Sequence, residues 1–589
     1  MHPSSYFFNV SPNDLLLSPA PREMAYSRHR PTCHFIAPHS WSNDPCGAVY
    51  VPESRQYLIC YQWNPGTTEG GNCAWGMAKS DDLVTWQDCM PAIWNGSSYD
   101  CAGVFSGSIV SRLVDGRRVL YLFYTSVSAV PIHWSKPYLE GCETQSVAIS
   151  TDLGQTWVRH AANPLMRGPP RAAATTGWRD PFVSPSRSLS DALGISRLTD
   201  YMLLASGERG RGPELHLYKS SDLQSWEYVS LLLDVDLHSL VSDRSSRRWG
   251  ISFECASFFS VGDTDYLVVG VEETEGSKHH NGHYILWLGG KFVLDGATAA
   301  PRFRIDSHSM LDHGILYAAH VFRDEENRLL QLGWADETAK KHVVQGQGWA
   351  GCLGLPRELV QVCRPLDARA ASWPEWQVDD AAGTMTTLGV RPAPQLEKLR
   401  PAAPCSLASF SRLQSQNYEV RATFSNLTGA ERFTLNVLQA PDSAEVTRII
   451  FDTRRQEITV DRSKSSLKQL GTATPDSGSL RLLPGEHLDV RVFVDVSIIE
   501  VYANDRFALT SRVYPSLDSS TGASCDFGDF PEAGVSFECW HGLQSAWPGR
   551  ELGCGMLLPE LLPKAGTAVD SSERVIAVTE MAVEMTAAS

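Results

Sequence analysis

Three short segments of this 589-residue chain set a carboxylate where turn residues meet an apolar run. Trp41-Ser-Asn-Asp-Pro-Cys-Gly47 holds Asp44 in a Pro/Gly turn just before Ala48-Val-Tyr50. Trp178-Arg-Asp-Pro-Phe182 puts Arg179 beside Asp180 ahead of another strand-like stretch. Phe253-Glu-Cys255 sits between Gly250-Ile-Ser252 and Ala256-Ser-Phe-Phe259. Paired carboxylates can break an acetal: one attacks the anomeric carbon while the other protonates the leaving oxygen, and retention needs them about 5–5.5 Å apart. The acid needs a raised pKa, which burial and a neighbouring carboxylate supply, and the nucleophile must stay ionised. Residue type alone selects nothing among 67 acids, and each segment taken singly also reads as an ordinary turn. Phe537-Glu-Cys539 repeats the Glu254 triplet late in the chain and reads as coincidence. Asn13-Asp14 lacks the Trp and Pro-Cys-Gly context of Asp44.

The elements that must position these residues read as all-β. Helical periodicity is scarce, and short apolar runs bounded by Gly, Pro, Asp and Asn recur. Examples are Val119-Leu-Tyr-Leu-Phe-Tyr124, Tyr201-Met-Leu-Leu-Ala205 and Tyr266-Leu-Val-Val-Gly270. Ser80-Asp-Asp-Leu-Val-Thr-Trp86, Ser150-Thr-Asp-Leu-Gly-Gln-Thr-Trp157 and Ser220-Ser-Asp-Leu-Gln-Ser-Trp226 repeat one turn, and each starts 70 residues after the one before. A β repeat of that length suits a large propeller blade. Residues 28–366 are expected to hold five blades, a five-bladed β-propeller. Residues 367–404, rich in Ala and Pro, read as a linker. Alternating runs such as Tyr418-Glu-Val-Arg-Ala-Thr-Phe424 and Leu488-Asp-Val-Arg-Val-Phe-Val494 then predict a C-terminal β-sandwich over 405–589, interrupted by an insertion near 515–565.

The net charge of −16 argues against a nucleic-acid partner, whose phosphates need a basic surface. It leaves a neutral small molecule open. Seventeen Trp suit sugar faces as well as cores. No run approaches the length of a membrane span, so no membrane association is expected; a homo-oligomer stays possible. The 14 cysteines include no C-x-x-C pair, no His/Cys cluster suggests a metal, and no cofactor is expected. Met1–Val10 carries no basic, apolar leader. The expectation is a cytoplasmic protein with free thiols, or a secreted one if a leader was removed.

Taken together, the segments resemble glycoside hydrolase family 32, the β-fructofuranosidases, in order and spacing. Trp41–Gly47 resembles the family's W-[MS]-N-D-P-N-G, with Cys46 for the usual Asn; Tyr61-Gln-Trp-Asn-Pro65, Trp75-Gly76 and Phe105-Ser-Gly-Ser108 resemble the motifs that follow. Arg179-Asp-Pro181 and Glu254-Cys255 match R-D-P and E-C-P, although Cys-Ala-Ser follows Glu254 instead of Cys-Pro-Asp. Trp349–Leu359 resembles the segment closing the catalytic domain, and Asp495-Val-Ser-Ile-Ile-Glu-Val-Tyr-Ala-Asn504 the sandwich signature. Tyr124–Ser135, which contains His133, together with Glu143–Ser146, Glu272 and His283, is similar to the fungal fructosyltransferase-type branch, where the last two positions line the acceptor side.

The resemblance implies roles. Asp44 is the nucleophile, Glu254 the acid and then the base, and Asp180, held by Arg179, the group that binds two fructose hydroxyls. Asn43, Gln62, Trp75 and Ser106, with Trp41 and Phe105 from the same motifs, grip the fructosyl unit. The implied activity is a retaining cleavage of sucrose and short fructo-oligosaccharides, with transfer to sugar acceptors at high sucrose; a dedicated fructosyltransferase or an inulinase is the near alternative. Two distant alternatives fit less. Ser150–Trp157 suits a sialidase turn, but a sialidase uses a Tyr nucleophile and three arginines, and Phe105–Ser108 has no place in it. A propeller can also be a non-enzymatic scaffold, which the three carboxylates in context disfavour.

Overall fold

The computed structural model describes residues 23–550, apart from 172–173, 196–198, 242–247, 273–281 and 402. Five antiparallel sheets come first along the chain. The first is built on Ser40–Val51, the second on Gly103–Val114, the third on Thr175–Pro185, the fourth on Ser252–Val261 and the fifth on Leu316–Arg323. These five first strands touch one another in sequence around a ring, and the fifth touches the first. They are the inner strands of a five-bladed β-propeller.

Blades stacked side by side bury both faces of their middle strands. That is why Gln56–Asn64, Asp200–Glu208 and Thr264–Glu272 read as almost unbroken apolar runs and not as alternation. The ring is closed by a short parallel pairing of Ser40 with Trp349 and Trp41 with Ala350. The 70-residue repeat forms the turn between third and fourth strands of the first three blades. In the first, Ser80 Oγ accepts from Leu83 N at 2.8 Å and Asp82 Oδ1 from Thr85 N at 2.7 Å; Ser220 and Asp222 do the same for Leu223 and Ser225.

The linker reading of 367–404 is corrected. Gln377–Asp379 and Thr384–Pro392 are strands of the fifth blade, with Leu359 opposite Val390. The prolines misled: Pro392 ends its strand, where the missing N–H breaks no inner ladder. The expected insertion near 515–565 is corrected too. Gly522–Asp526 pairs with Arg432–Gln439, and Val535–His541 pairs with Asn417–Phe424, so this region supplies one edge strand to each sandwich sheet; residues 551–565 lie outside the described residues.

The sandwich packs two five-stranded sheets around an apolar core that includes Phe424, Phe433, Val492 and Ile499. It meets the propeller through buried ion pairs. Arg357 reaches Asp312 at 2.8 Å and Glu500 at 3.0 Å, and His34 lies between Asp495 at 2.8 Å and Glu500 at 3.1 Å. No helix among the described residues is long and apolar enough to cross a membrane.

Candidate active site

Every inner strand contributes at least one polar residue to the same end of the ring, and each does so at a break in its ladder. Register shifts fall between Ser42 and Pro45, Phe105 and Gly107, Glu254 and Ser257, and Tyr317 and His320, and opposite the stretch between Arg179 and Phe182. A bulge frees a residue from pairing and re-aims its side chain. The residues re-aimed here include Asp44, Ser106 and Asp180, with Glu254 and Tyr317 at the edges of their bulges. Asp180 and Cys255 adopt left-handed φ of 62° and 45°, which L-residues rarely do without a local reason. Gly47 shows how tight the first bulge is: its φ is 108°, and a Cβ there would lie 2.7 Å from Ile109 Cγ1.

Asp44 is held from both oxygens. Ser106 Oγ donates to Oδ2 at 2.6 Å, and Asn43 Nδ2 donates to Oδ1 at 3.0 Å. The Cys255 thiol bridges the two aspartates, 3.5 Å from Asp44 Oδ2 and 3.5 Å from Asp180 Oδ2. Cys255 N donates to that same Asp180 oxygen at 2.8 Å. Tyr317 Oη donates to Glu254 Oε2 at 2.8 Å, and Arg179 Nε stands 3.6 Å from Oε1. Burial, reinforced by Glu254, raises Asp44 to about 6 against the hydrogen bonds of Ser106, Cys255 and Asn43. Burial and Glu254 raise Asp180 to about 7, with Arg179 opposing. Burial and Glu254 likewise lift Glu272 to about 8. Burial works against the charge of Arg179, but Glu143, Glu254, Glu272 and Asp180 more than offset it, so the guanidinium stays charged. Burial and the aspartates push the Cys255 thiol well up, which keeps it a protonated donor.

The remaining sequence candidates separate into three groups. Trp41 and Ser106 join the carboxylates directly or through Asn43, whose Oδ1 accepts from Trp41 Nε1 at 3.1 Å. Gln62 and Trp75 are buried behind them: Gln62 donates to Val104 O at 2.9 Å and Trp75 to Phe105 O at 3.1 Å, so both brace the second-blade bulge. Glu272 and His283 are direct cross-strand partners beside Glu254, and the His283 ring stacks on Tyr317 with centroids 4.7 Å apart. His133 stands apart. It is exposed, its contacts run to Ser135 and Trp134, and none among the described residues ties it to the carboxylates. Its loop, between two strands of the second blade, is tied to the third blade at Lys136, whose carbonyl accepts from Arg209. Phe537-Glu-Cys539 lies on the last sandwich strand, with Phe537 and Cys539 against the sandwich core.

Sequence reasoning gave no role to three residues of the network. Glu143 is fully buried, accepts from Trp178 N at 2.7 Å and pairs with Arg179 at 3.1 Å. Thr125 Oγ1 accepts from Asp180 N at 2.9 Å, which supports the left-handed turn there. Tyr317 belongs to no motif and is found only through the ring.

Two family profiles match: the N-terminal domain of glycosyl hydrolases family 32 over residues 34–369, and the family's C-terminal domain over 390–541. The chain belongs to glycosyl hydrolase family 32. It is a glycoside hydrolase of the β-fructofuranosidase type. It is similar to the sucrose-6-phosphate hydrolase of Zymomonas mobilis, 26% identical over 516 residues that cover 85% of this chain and 90% of that protein. It is also similar to Zea mays beta-fructofuranosidase 1, 26% identical over 546 residues, 83% of this chain and 75% of that one. Among solved structures, the Aspergillus kawachii beta-fructofuranosidase complexed with glycerol superposes with a TM-score of 0.78 at 27% identity, over 91% of this chain and 99% of that chain. A fructosyltransferase from A. japonicus shares the fold with the same TM-score at 24% identity, over 90% of this chain and 98% of that chain.

Proposed function

We propose that this enzyme cleaves the fructosyl bond of sucrose and short fructo-oligosaccharides with retention, through a covalent fructosyl-enzyme. The observation that supports this reading best is the pairing of Asp44, anchored at both oxygens, with Glu254 across the Cys255–Asp180 bridge. Asp44 attacks the anomeric carbon while Glu254 gives its proton to the leaving oxygen, and the glycosidic electron pair leaves with the aglycone. Glu254, now ionised, takes a proton from water or a sugar hydroxyl. That oxygen attacks the anomeric carbon, and the Asp44 carboxylate departs. Asp180 stabilises the oxocarbenium-like transition state through the fructose hydroxyls. Glu272 and His283 line the wall beside Glu254 where an acceptor sugar would sit, which supports transfer at high sucrose. Acceptor contacts worth about 1.4 kcal/mol shift the ratio of transfer to hydrolysis tenfold.

Sucrose hydrolysis followed by NMR is expected to release β-fructofuranose as the first anomer. Asp44→Ala and Glu254→Ala are each expected to abolish release while the fold survives. Release of the α anomer first, or full activity in either variant, overturns the mechanism. Across a sucrose series, kestose-type products are expected to rise relative to free fructose.

A further inference from the structure

The acceptor wall carries a donor set that sugar binding does not require. One ligand atom from each of Glu254, Glu272 and His283 lies within 4.8 Å of the other two. The sheet sets their backbone placement: Glu272 and His283 face each other directly across two strands of the fourth blade, and Glu254 lies on the next strand of the same sheet. The ring of His283 is fixed in plane by its stack on Tyr317. Glu272 is 7% exposed, and its Oε2 is buried without a hydrogen-bond partner among the described residues. A buried carboxylate oxygen left bare is costly and calls for a partner. The surroundings are rich in acids: Glu143 and Asp180 join Glu254 and Glu272 around a single guanidinium, Arg179, and Asp44 lies beside Asp180. The Glu254 side chain keeps 20% of its surface exposed, so an ion can enter from the cleft.

We propose that Glu254, Glu272 and His283 form a site for a borderline divalent cation, with Zn²⁺ as the type, and that its occupation blocks Glu254. Two carboxylates and one imidazole are ligands Zn²⁺ accepts, at about 2.0–2.2 Å each, which brings tetrahedral donors to about 3.4 Å apart. Side-chain rotation on the fixed strands closes the remaining gap. Hard ions such as Mg²⁺ prefer octahedral oxygen shells and fit this set poorly. The other such grouping among the described residues, Cys33, His34 and Asp495, is saturated: Asp495 already accepts from Thr32 N, Cys33 N and His34 Nδ1. The block rests on Glu254 being the acid–base group, whereas the binding does not.

Equilibrium dialysis of the full chain against Zn²⁺ is expected to show one equivalent that His283→Ala and Glu272→Gln each lose, with unfolding profiles confirming that both variants fold. Sucrose hydrolysis is expected to fall with Zn²⁺ and to need at least tenfold more Mg²⁺ for the same loss. Measured against each variant's own zinc-free rate, half-inhibition moves at least tenfold higher in both variants and stays in place in Cys255→Ser. Bound zinc unchanged in both variants overturns the site. Zinc bound without inhibition overturns the block alone, and inhibition relieved by Cys255→Ser places the effect on the thiol and overturns the proposal.

Discussion

Two buried clusters of carboxylates sit in this enzyme and titrate in opposite directions. In the cleft, burial raises Asp44 to about 6, Asp180 to about 7 and Glu272 to about 8, with Glu254 adding to each. At the joint between domains, burial works the same way on Asp495 and Glu500, yet both fall to about 2. His34 outweighs it for Asp495, and Arg357 with His34 for Glu500. His34 in turn rises to about 9: burial opposes its charge, but hydrogen bonds to Asp495 and Glu500 overcome it. The difference is one of partners. The joint supplies Arg357, His34 and main-chain N–H groups of Thr32, Cys33 and Leu355. The cleft sets one guanidinium, Arg179, among several acids. A joint has to be complete by itself, while a sugar brings its own hydroxyls to a cleft.

The comparison can be broken most directly by Asp44→Asn. Its turnover is expected to drop on the order of 10⁴-fold or more, as for other covalent nucleophiles, while chemical denaturation at pH 8 shows stability equal to or above the wild type. A clear loss of stability there would mean that the cleft charges are compensated like those at the joint. Next in size, Glu500→Ala leaves His34 and Arg357 short of a buried partner and is expected to cost about 3–5 kcal/mol in denaturant titration. Turnover per folded molecule should not change.

The pH dependence sharpens the contrast. Asp180 keeps its proton in the folded state up to about pH 7, whereas an unfolded aspartate releases it near 4. Stability therefore falls as pH rises through that window. Asp180→Asn removes the Asp180 share of the fall, and its advantage over the wild type is expected to grow from nothing near pH 4 to about 1–3 kcal/mol at pH 8. The smallest effect is at the alkaline end. His34 contributes fully below about pH 6.5, and that contribution is lost as pH rises through about 9. Between pH 7 and 9.5 wild-type stability should drop by about 1–2 kcal/mol more than that of His34→Gln, which keeps only the loss from Glu272 below about pH 8.

Much of this was legible before any coordinates. The apolar middle strands announce blades because a stacked sheet buries both faces, and Asp44, Asp180 and Glu254 stand out because bulges demand turn residues beside them. Other features had no local signal. Tyr317 acts across blades, so nothing in its own segment marks it, and Glu143, inside a resembling stretch, shows its part only through its cross-blade pair with Arg179. Thr384–Pro392 looked like linker because it runs into the prolines at 392 and 394, although it is a strand paired along its length. The two late edge strands, Gly522–Asp526 and Val535–His541, are separated by a Gly/Pro stretch and pair with partners about 100 residues upstream. His133 is a position inside a resembling stretch whose own side-chain contacts, among the described residues, run to Trp134 and Ser135 and not to the carboxylates.

The closure of the ring by Ser40 with Trp349 and Trp41 with Ala350 also sets a timetable. The strand that carries Asp44 gains its final neighbour only after some 300 further residues have been synthesised. The segment just before it waits longer, because Thr32, Cys33 and His34 dock on Asp495. Contacts so distant in sequence form late in folding. During translation Asp44, the proposed nucleophile, is therefore made before the other two carboxylates of the cleft and is among the last to be seated, and a chain cut short before the sandwich signature carries these acids without the frame that aims them.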